Sequence, residues 1–193
     1  MSDTIKYSIT FYSQWHCGSG LSAGADVDAL VVKDRNNMPF VPGKTLKGLI
    51  REAVENLVQF EGKATEMNHL IIETFGKESE ATKDGNGVSG SAHFSNAELC
   101  DKEYKAIVAN NVSTFLYNKV TTTAIGADGT AQEHSLRSTE VVIPCTLHAE
   151  ITEVPEQMKD IVCRSFGLIK RLGQKRTRGL GRCDVRVEEG GNA

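Results

Sequence analysis

The feature that most constrains the fold is a change of hydrophobic period in the first third of the chain. Residues 4–14 alternate apolar and polar side chains, which predicts a half-buried strand. Its buried face would hold Ile5, Tyr7, Ile9 and Phe11. From about Thr45 the apolar residues follow helical spacing instead, and the predicted helix ends near Gly62. Its apolar stripe would hold Leu46, Leu49, Ile50, Ala53, Val54 and Leu57.

Four further strand or helix patterns complete a recognisable order. A short strand is predicted at 91–95 and a long alternating one at 139–152. Pro155 introduces a helix over 156–172, and the segment 181–188 (GRCDVRVE) is typical of a strand. The order is strand–helix–strand–strand–helix–strand, which predicts an α+β, ferredoxin-like or RNA-recognition-type βαββαβ core. Many functions use this core, so the fold alone does not decide between them.

The remaining segments are predicted to be insertions in one domain. A short helix at 64–75 would end at Gly76, and the polar, glycine-rich segment 77–90 is expected to be mobile. A helix is possible at 101–110, and 112–141 predicts an extended hairpin around the turn Asp128-Gly129. We expect a single domain spanning 1–193, with core segments at roughly 4–60, 91–99 and 139–188 and insertions at 61–90 and 100–138.

Several classes of protein are disfavoured by composition. The chain has no apolar run of 18 residues, so no membrane-spanning segment is expected. Its start enters the strand pattern directly, with no basic-then-apolar leader. The five cysteines are odd in number and contain no CxxC pair, which argues against a disulfide framework and a zinc site. We expect a cytoplasmic protein.

The charge is distributed unevenly along the chain. The net charge is −3, yet residues 164–186 carry eight basic residues against the single acid Asp184, which is +7 and leaves −10 elsewhere. Such asymmetry indicates a site for a polyanion, although a solvated basic helix end would give the same charge pattern.

The tripeptide Gly43-Lys44-Thr45 is not part of a P-loop. That motif needs a glycine five positions before Gly43, where this chain has Met38, and Pro42 has no N–H to offer a phosphate. The stretch is instead the predicted start of the first helix. Lys44, Lys47 and Arg51 would lie on its polar face.

The basic, glycine-rich stretch 171–185 (RLGQKRTRGLGRCDV) lies between a helix end and a strand start. That is the reverse of the dinucleotide-binding order, in which a glycine-rich loop leads from a strand into a helix. Anion binding here would use the charges of Lys175, Arg176, Arg178 and Arg182. Gly179 and Gly181 would let a sugar-phosphate chain approach the backbone. A glycine C-cap and tight turn would explain Gly173 and Gly179 but not the four basic residues.

Four stretches, in this order, resemble the RAMP superfamily of CRISPR-associated proteins: WHCGSGLSAGADVDALVVKD (15–34), VPGKTLKGLIRE (41–52), FSNAEL (94–99) and KRTRGLGRCDV (175–185). Within it, the chain is most similar to the backbone (Cas-seven-like) subunits of type III effector complexes. The resemblance implies a guide RNA, a target RNA, other effector subunits and further copies of the same or related subunits as partners.

The resemblance also implies positions for bound RNA. The turn at 42–48 would begin a helix beside the guide, with Gly43 and Thr45 presenting the helix N-terminus to a phosphate. Lys44, Lys47 and Arg51 would add charge-assisted contacts, and the basic loop would supply the rest. These are contacts to the backbone, which suit any guide sequence. We expect His16 to be a structural or RNA-contacting residue.

Cleavage of target RNA is a further implication of the resemblance. The family's catalytic aspartate lies in the loop after the first strand, where Asp28 fits better than Asp26 or Asp34. Asp28 would bind Mg²⁺ or Mn²⁺, or otherwise assist, while a ribose 2′-hydroxyl attacks the adjacent phosphate. The hairpin would act as a "thumb" that wedges into the guide–target duplex. Its candidate wedge residues are Leu116, Tyr117, Ile125 and Leu136.

Three alternatives remain open at this point. The chain could be a non-catalytic RNA-binding scaffold of the same family, or a metal-independent endonuclease that processes guide RNA with His16 as general acid–base. A metabolic ferredoxin-like enzyme is the least supported, because no cofactor motif or catalytic cluster is present. His69, His93, His134 and His148 are scattered and form no metal-ligand pattern.

Overall fold

A four-stranded antiparallel sheet forms the centre of the molecule, seen in a computed structural model that describes residues 4–24, 26–77, 87–127 and 129–188. Its strands are β1 (Ile5–Phe11), β2 (His93–Phe94), β5 (Thr146–Thr152) and β6 (Cys183–Val187), in the order β2-β5-β1-β6. Two further strands, β3 (Tyr117–Thr122) and β4 (Arg137–Val142), form a separate two-stranded sheet. The central sheet has the order expected of a ferredoxin-like core, so the predicted α+β fold class is confirmed.

Two helices cover one face of this sheet: α1 (Gly43–Phe60) and α4 (Glu156–Ser165). Tyr7 on β1 points to that face, where its ring lies 5.0 Å from the ring of Phe166, just after α4. The predicted stripe of α1 is buried at Leu46, Ile50, Ala53 and Val54. These contacts form the main hydrophobic core, as the change of period predicts.

The opposite face of the sheet is polar. β1 contributes Lys6, Ser8 and Thr10 to it, and β5 contributes Thr146, His148 and Glu150, which lie opposite those residues in the antiparallel register. Among the described strand residues, none on this face is Phe, Tyr or Trp. We call it the open sheet face.

The predicted helix at 156–172 is wrong at its end. α4 stops at Ser165 and continues as one 3-10 turn, Phe166–Leu168. Gly167 disfavours further helix. Residues 170–172 pair with the segment at the start of β6 instead. The Cys183 amide donates to the Lys170 carbonyl, and the Leu172 amide donates to the Gly181 carbonyl. Ile169 and Leu172 are nevertheless buried, so the apolar pattern survives outside the helix.

The predicted long strand at 139–152 is also wrong, because it is two strands. The chain breaks at 143–145, where Pro144 cannot donate to a ladder. β4 before the break pairs with β3 to form the hairpin, and β5 after it pairs with β1 in the central sheet. The predicted strand at 91–95 is regular only over His93–Phe94.

The two inserted helices lie where the sequence predicts them. α2 (Ala64–Phe75) ends at Gly76, which has a φ of 79°, and α3 (Asp101–Asn110) precedes the hairpin. Residues 78–86 of the segment predicted to be mobile, and Asp128 of the predicted hairpin turn, lie outside the described residues. No helix in the described part of the chain is long and apolar enough to cross a membrane.

Candidate nucleic-acid interface

The glycine-rich loop folds back along the segment that follows β1. Three backbone hydrogen bonds join them, from Tyr12 to Arg182 (2.8 Å), from Gly181 to Gln14 (2.8 Å) and from Gln174 to His16 (2.9 Å), each residue named first being the N–H donor. The loop is therefore fixed on the core at both of its ends, so the backbone that carries its basic side chains has a defined position.

The glycines of this loop are required by its own packing. A Cβ at Gly181 would lie 1.9 Å from the carbonyl oxygen of Leu172, and Gly181 is buried with a φ of +70°. Gly179 has open space around it but a φ of +89°, which side chains other than glycine rarely adopt. The structure thus gives Gly181 a packing role rather than the exposed backbone that the sequence suggests, whereas Gly179 is exposed.

A cleft of about 440 Å³ separates the first turns of α1 from this loop. Lys44, Thr45 and Gly48 line it on the helix side, and Gln174 and Arg176 on the loop side. We call it the α1–loop cleft. The two basic segments that the sequence analysis identified separately therefore form opposite walls of one groove.

His16 forms part of the wall of this cleft and is fully buried. Its Nδ1 lies 2.6 Å from the Glu140 carbonyl oxygen, so Nδ1 must carry a proton and donate it. Its Nε2 is enclosed and has no hydrogen-bond partner among the residues that the structure describes. A buried polar atom left unpaired costs about 1–3 kcal/mol, so His16 lowers the stability of the fold at this point. Full burial also keeps the ring from a general acid–base role on an incoming strand.

The N-terminus of α1 is less available to an anion than the sequence predicts. The Gly43 amide donates to Asn96 Oδ1 at 3.0 Å, and the Thr45 amide donates to the Pro42 carbonyl at 2.9 Å. A Cβ at Gly43 would lie 2.2 Å from the Phe94 carbonyl oxygen, so this glycine is needed for helix packing on β2. Contacts to an anion would come from the exposed side chains of Lys44 and Thr45 instead.

The basic face of α1 continues beyond the cleft. Lys44, Lys47, Arg51 and Lys77 line a second cavity of about 330 Å³. Arg51 is already engaged there, because it forms a salt bridge with Glu55 at 2.7 Å and donates to the Gly76 carbonyl. Lys47 and Lys44 are thus the more available cations of this face.

Gly48 lies between these two cavities, in the middle of α1. No atom outside its own helix surroundings lies within 4 Å of a Cβ placed there, so packing does not require a glycine. Glycine in a helix interior costs about 1 kcal/mol relative to alanine. Its presence leaves bare helix backbone between Lys44 and Arg51, which is where a close-lying ligand would need space.

The four cations of the loop differ in their surroundings. Lys175 Nζ donates to Thr139 Oγ1 at 2.6 Å and its backbone has a φ of 54°, so it ties the loop to β4. Arg176 lines the α1–loop cleft, while Arg178 and Arg182 are exposed further along the loop. Three of the four predicted RNA-binding cations are consequently free to meet a polyanion.

Asp28 is held against β4 by its own carboxylate. Its Oδ2 accepts the Ser138 amide at 2.6 Å, its Oδ1 lies 3.9 Å from Arg137, and the side chain is 46% exposed. Asp34 has a structural role instead, because its carboxylate accepts the amides of its own turn and the Tyr104 hydroxyl. Of these two carboxylates, Asp28 is the one directed to solvent beside a cation.

Three consecutive residues of β4 connect the predicted functional residues. Ser138 binds Asp28, Thr139 accepts Lys175, and the Glu140 carbonyl accepts His16. Adjacent strand residues rise about 3.3 Å, so these contacts fall within a short distance. The carboxylate of Glu140 also binds Lys33 at 2.7 Å and the Val31 amide at 3.0 Å. Sequence reasoning missed these β4 residues and Asn96, since they look like ordinary strand and loop positions.

The residues around Asp28 fit a divalent cation poorly. Its two carboxylate oxygens face the Ser138 amide and Arg137, both of which compete with a cation for them. Within the described segments, no group of three or more His, Cys, Asp or Glu side chains is placed to hold a metal ion. The protein's own donors would therefore supply at most one carboxylate.

Burial makes the cysteines near this interface poor nucleophiles, including Cys17, which lines the α1–loop cleft and whose thiol pKa is raised by burial. Burial raises the pKa of the Cys183 thiol, at the start of β6, and of the Cys145 thiol to about 11 in each case. Both remain protonated near neutral pH, whereas a thiolate is the nucleophilic form. No disulfide joins the cysteines in the structure.

The hairpin presents only part of its predicted wedge. Leu116 and Tyr117 pack against the hydrophobic core, and the Tyr117 hydroxyl donates to the Asn37 carbonyl at 2.8 Å. Ile125 and Leu136 are 69% and 64% exposed and remain available. Phe115, which the sequence analysis did not select, is 77% exposed at the base of the hairpin.

Comparisons with known proteins agree with the fold. The sequence model of the RAMP superfamily matches residues 8–184. One similar solved structure is a chain of the type III-B Cmr-beta complex bound to cognate target RNA, with a TM-score of 0.68 at 13% identity, covering 95% of this chain and 96% of that one. Another is a chain of the type III-B Cmr-beta apo state, with a TM-score of 0.67 at 13% identity and coverages of 96% and 97%. No curated protein sequence matches the chain.

Proposed function

The chain belongs to the RAMP superfamily, and from this premise we propose that it is an RNA-binding backbone subunit of a type III CRISPR ribonucleoprotein. It holds guide RNA in the α1–loop cleft and presents complementary target RNA to Asp28. Its partners are the guide, the target, other effector subunits and further copies of itself or related subunits. The similar Cmr-beta chains come from a complex that binds target RNA, which supports this assignment.

The observation that carries the proposal is the composition of the cleft walls. Lys44 on α1 and Arg176 on the loop face the same groove, where they outnumber the single acid Glu52. Cations on two separate elements can contact successive phosphates, which fixes the path of a strand without reading its bases. A subunit that must accept any guide sequence needs contacts of this kind.

The bare backbone at Gly48 supports the same path. A sugar-phosphate chain lying across α1 between Lys44 and Arg51 would pass over this residue. The stability that the helix forgoes at Gly48, about 1 kcal/mol, is then explained by the room that the strand requires.

For target cleavage, we assign Asp28 as the base that accepts the proton of a ribose 2′-hydroxyl. The 2′-oxygen then attacks the adjacent phosphorus and the bond to the 5′-oxygen breaks. The leaving 5′-oxygen takes a proton from water, and the products are a 2′,3′-cyclic phosphate and a 5′-hydroxyl end. Arg137, 3.9 Å from Asp28 Oδ1, would balance the charge that develops on the phosphate oxygens. The chain's own residues thus provide a base and a cation without a metal centre. Whether cleavage also needs Mg²⁺ or Mn²⁺ is tested separately.

A non-catalytic scaffold is the second candidate, and one observation favours it. The Ser138 amide already donates to Asp28 Oδ2 at 2.6 Å, so only Oδ1 is left open to accept the proton of a 2′-hydroxyl. Guide processing by His16 has less support, because the ring is buried and its Nδ1 is fixed.

The experiment assembles the effector complex with wild-type chain or with Asp28→Ala and adds a matched, labelled target RNA. If Asp28 is the base, the variant still binds guide and target, while the cleavage rate falls by about 100- to 10,000-fold. Asp34→Asn, in the same loop, is the matched control and should retain far more activity. Parallel reactions in chelator and in Mg²⁺ determine whether cleavage needs a divalent cation.

Three outcomes separate the candidates. Wild-type cleavage that persists in Asp28→Ala would remove Asp28 from the mechanism. A wild-type complex that binds matched target and never cuts it would establish the scaffold. A chain that binds no RNA, alone or in the complex, would refute the proposal as a whole.

A further inference from the structure

We propose that Tyr12 is a stacking platform for an unpaired nucleobase of the RNA that the chain binds, an inference that rests on the proposed function. Tyr12 follows β1 and its side chain is 53% exposed. It lies in a pocket of about 340 Å³, lined by Tyr12, Lys170, Arg171, Arg182, Cys183 and Asp184. We call this the Tyr12 pocket.

The setting of Tyr12 distinguishes it from the other exposed aromatic side chains. The guanidinium carbon of Arg182 lies 5.9 Å from the centre of the Tyr12 ring, within the range of a cation–π contact. Phe60 and Phe115 are 90% and 77% exposed, but Phe60 is the last residue of α1 and Phe115 precedes the hairpin. Tyr12 is thus the exposed aromatic residue that lies against the basic loop.

The charge of the pocket suits a nucleotide. Lys170, Arg171 and Arg182 outnumber the single acid Asp184. Asp184 is moreover neutralised, because Arg186 donates to it at 2.7 Å and Lys170 at 3.5 Å. An aromatic face bordered by cations is the arrangement that proteins use for single strands, with stacking on the base and charge on the phosphate.

The Tyr12 pocket is connected to the α1–loop cleft. Arg176 lines the cleft and also an intervening cavity of about 500 Å³, and Arg171 lines that cavity and the Tyr12 pocket. Arg171 further donates to the Arg176 carbonyl at 3.0 Å, which fixes the two arginines together. Tyr12 is four residues from His16, at most about 14 Å along an extended chain. A single strand in the cleft can therefore continue past these arginines to Tyr12.

Stacking on one tyrosine would not depend on the identity of the base, because every base has a π-face. This matches the backbone contacts in the cleft. The hydrogen bond that fixes this residue to Arg182 is made by its backbone N–H, while its ring contacts the Arg182 guanidinium from one side.

The experiment uses the full chain and two single-stranded oligomers of equal length and charge, a uridine oligomer and an abasic ribose-phosphate oligomer. The wild type should bind the uridine oligomer more tightly. Tyr12→Ala should lower that affinity by about 5- to 150-fold, the loss expected for one base–aromatic stack, and should leave the abasic oligomer unaffected. Tyr12→Phe should bind as the wild type does, and Phe60→Ala is the matched control at a distant exposed ring.

Each result decides the matter. Loss of the preference for bases in Tyr12→Ala, with retention in Tyr12→Phe and Phe60→Ala, establishes the platform. If the wild type binds RNA and Tyr12→Ala binds each oligomer with the affinity of the wild type, the platform is refuted while the proposed function stands. An equal loss for both oligomers would mean that Tyr12 only shapes the loop. Absence of RNA binding by the wild type would refute both proposals.

Discussion

The open sheet face and the α1–loop cleft are the two surfaces of this fold on which RNA could lie, and they are equipped differently. RNA-recognition domains stack bases on aromatic residues of their four-stranded sheet. Here that face carries Ser8, Thr10 and Thr146 among charges of both signs. The cleft at the helix side instead combines Lys44 and Thr45 on α1 with Gln174 and Arg176 on the loop.

The contrast between the side chains of these two surfaces indicates that the topology of a fold does not determine which of its surfaces binds a ligand. The sheet order is the one that an RNA-recognition domain has, while the side chains that can bind RNA lie between α1 and the loop before β6. Side chains at the binding site, and not the strand order, are what an argument about function must use.

The most severe test of the comparison removes the same charge from each surface. Lys44→Gln with Arg176→Gln takes two positive charges from the cleft, and Lys6→Gln with Lys102→Gln takes two from outside it, on the open sheet face and on the neighbouring helix α3. The first pair should weaken RNA binding by roughly 100-fold or more, from two charge-assisted contacts. The slope of log affinity against log salt should fall by about 1.4. Filter binding or fluorescence anisotropy at several salt concentrations measures both.

The second pair is the control, with the same change of net charge. It should alter affinity only slightly, through the long-range field of the protein. Equal losses from both pairs would show that the chain attracts RNA by net charge alone and has no defined cleft.

A second variant tests whether the packing of Gly181 holds the loop that forms one wall of the cleft. Gly181→Ala should lower the free energy of unfolding by about 2 kcal/mol, because a positive φ is costly for alanine and its Cβ would meet the Leu172 carbonyl. Gly179→Ala, with the same class of φ in open space, should cost less, about 1 kcal/mol. Denaturant unfolding compares the two. If Gly181→Ala were as stable as the wild type, the packing role of this glycine would be wrong.

The smallest effect is expected at Gly48, where stability and binding should change in opposite directions. Gly48→Ala should raise the free energy of unfolding by about 1 kcal/mol, since alanine is the better helix former. RNA affinity should fall several-fold, because the added methyl group occupies space between the two cavities. Gln59→Ala, exposed near the end of α1, is the control and should change neither quantity much. A stabilised Gly48→Ala with unchanged affinity would place the RNA elsewhere.

Local patterns were sufficient to predict most of the fold. The bounds of α2 and α3 follow from helical spacing and, for α2, from the glycine at its end. The errors at 139–152 and 156–172 have tertiary causes. In both, the apolar pattern continues across a change of structure: at Pro144 into a second sheet, and after Gly167 into an edge that pairs with β6.

The site could be predicted only in part. Charge identified the basic loop and the polar face of α1, but the sequence does not show that Lys44 and Arg176 face one groove. The role of His16 depends on a carbonyl 124 residues away, on Glu140. Similarly, the packing of Gly43 and Gly181 against carbonyl oxygens is a property of the assembled molecule, and the sequence suggested contact with RNA for both.

Photo-crosslinking shows directly whether RNA lies in the α1–loop cleft or on the open sheet face. RNA that contains 4-thiouridine is bound to the full chain, irradiated and digested, and the crosslinked residues are located by mass spectrometry. We expect crosslinks within 12–18, 44–51 and 170–182, which form the walls of the α1–loop cleft and of the Tyr12 pocket. Crosslinks confined to 6–10 and 146–150, on the open sheet face, would contradict it.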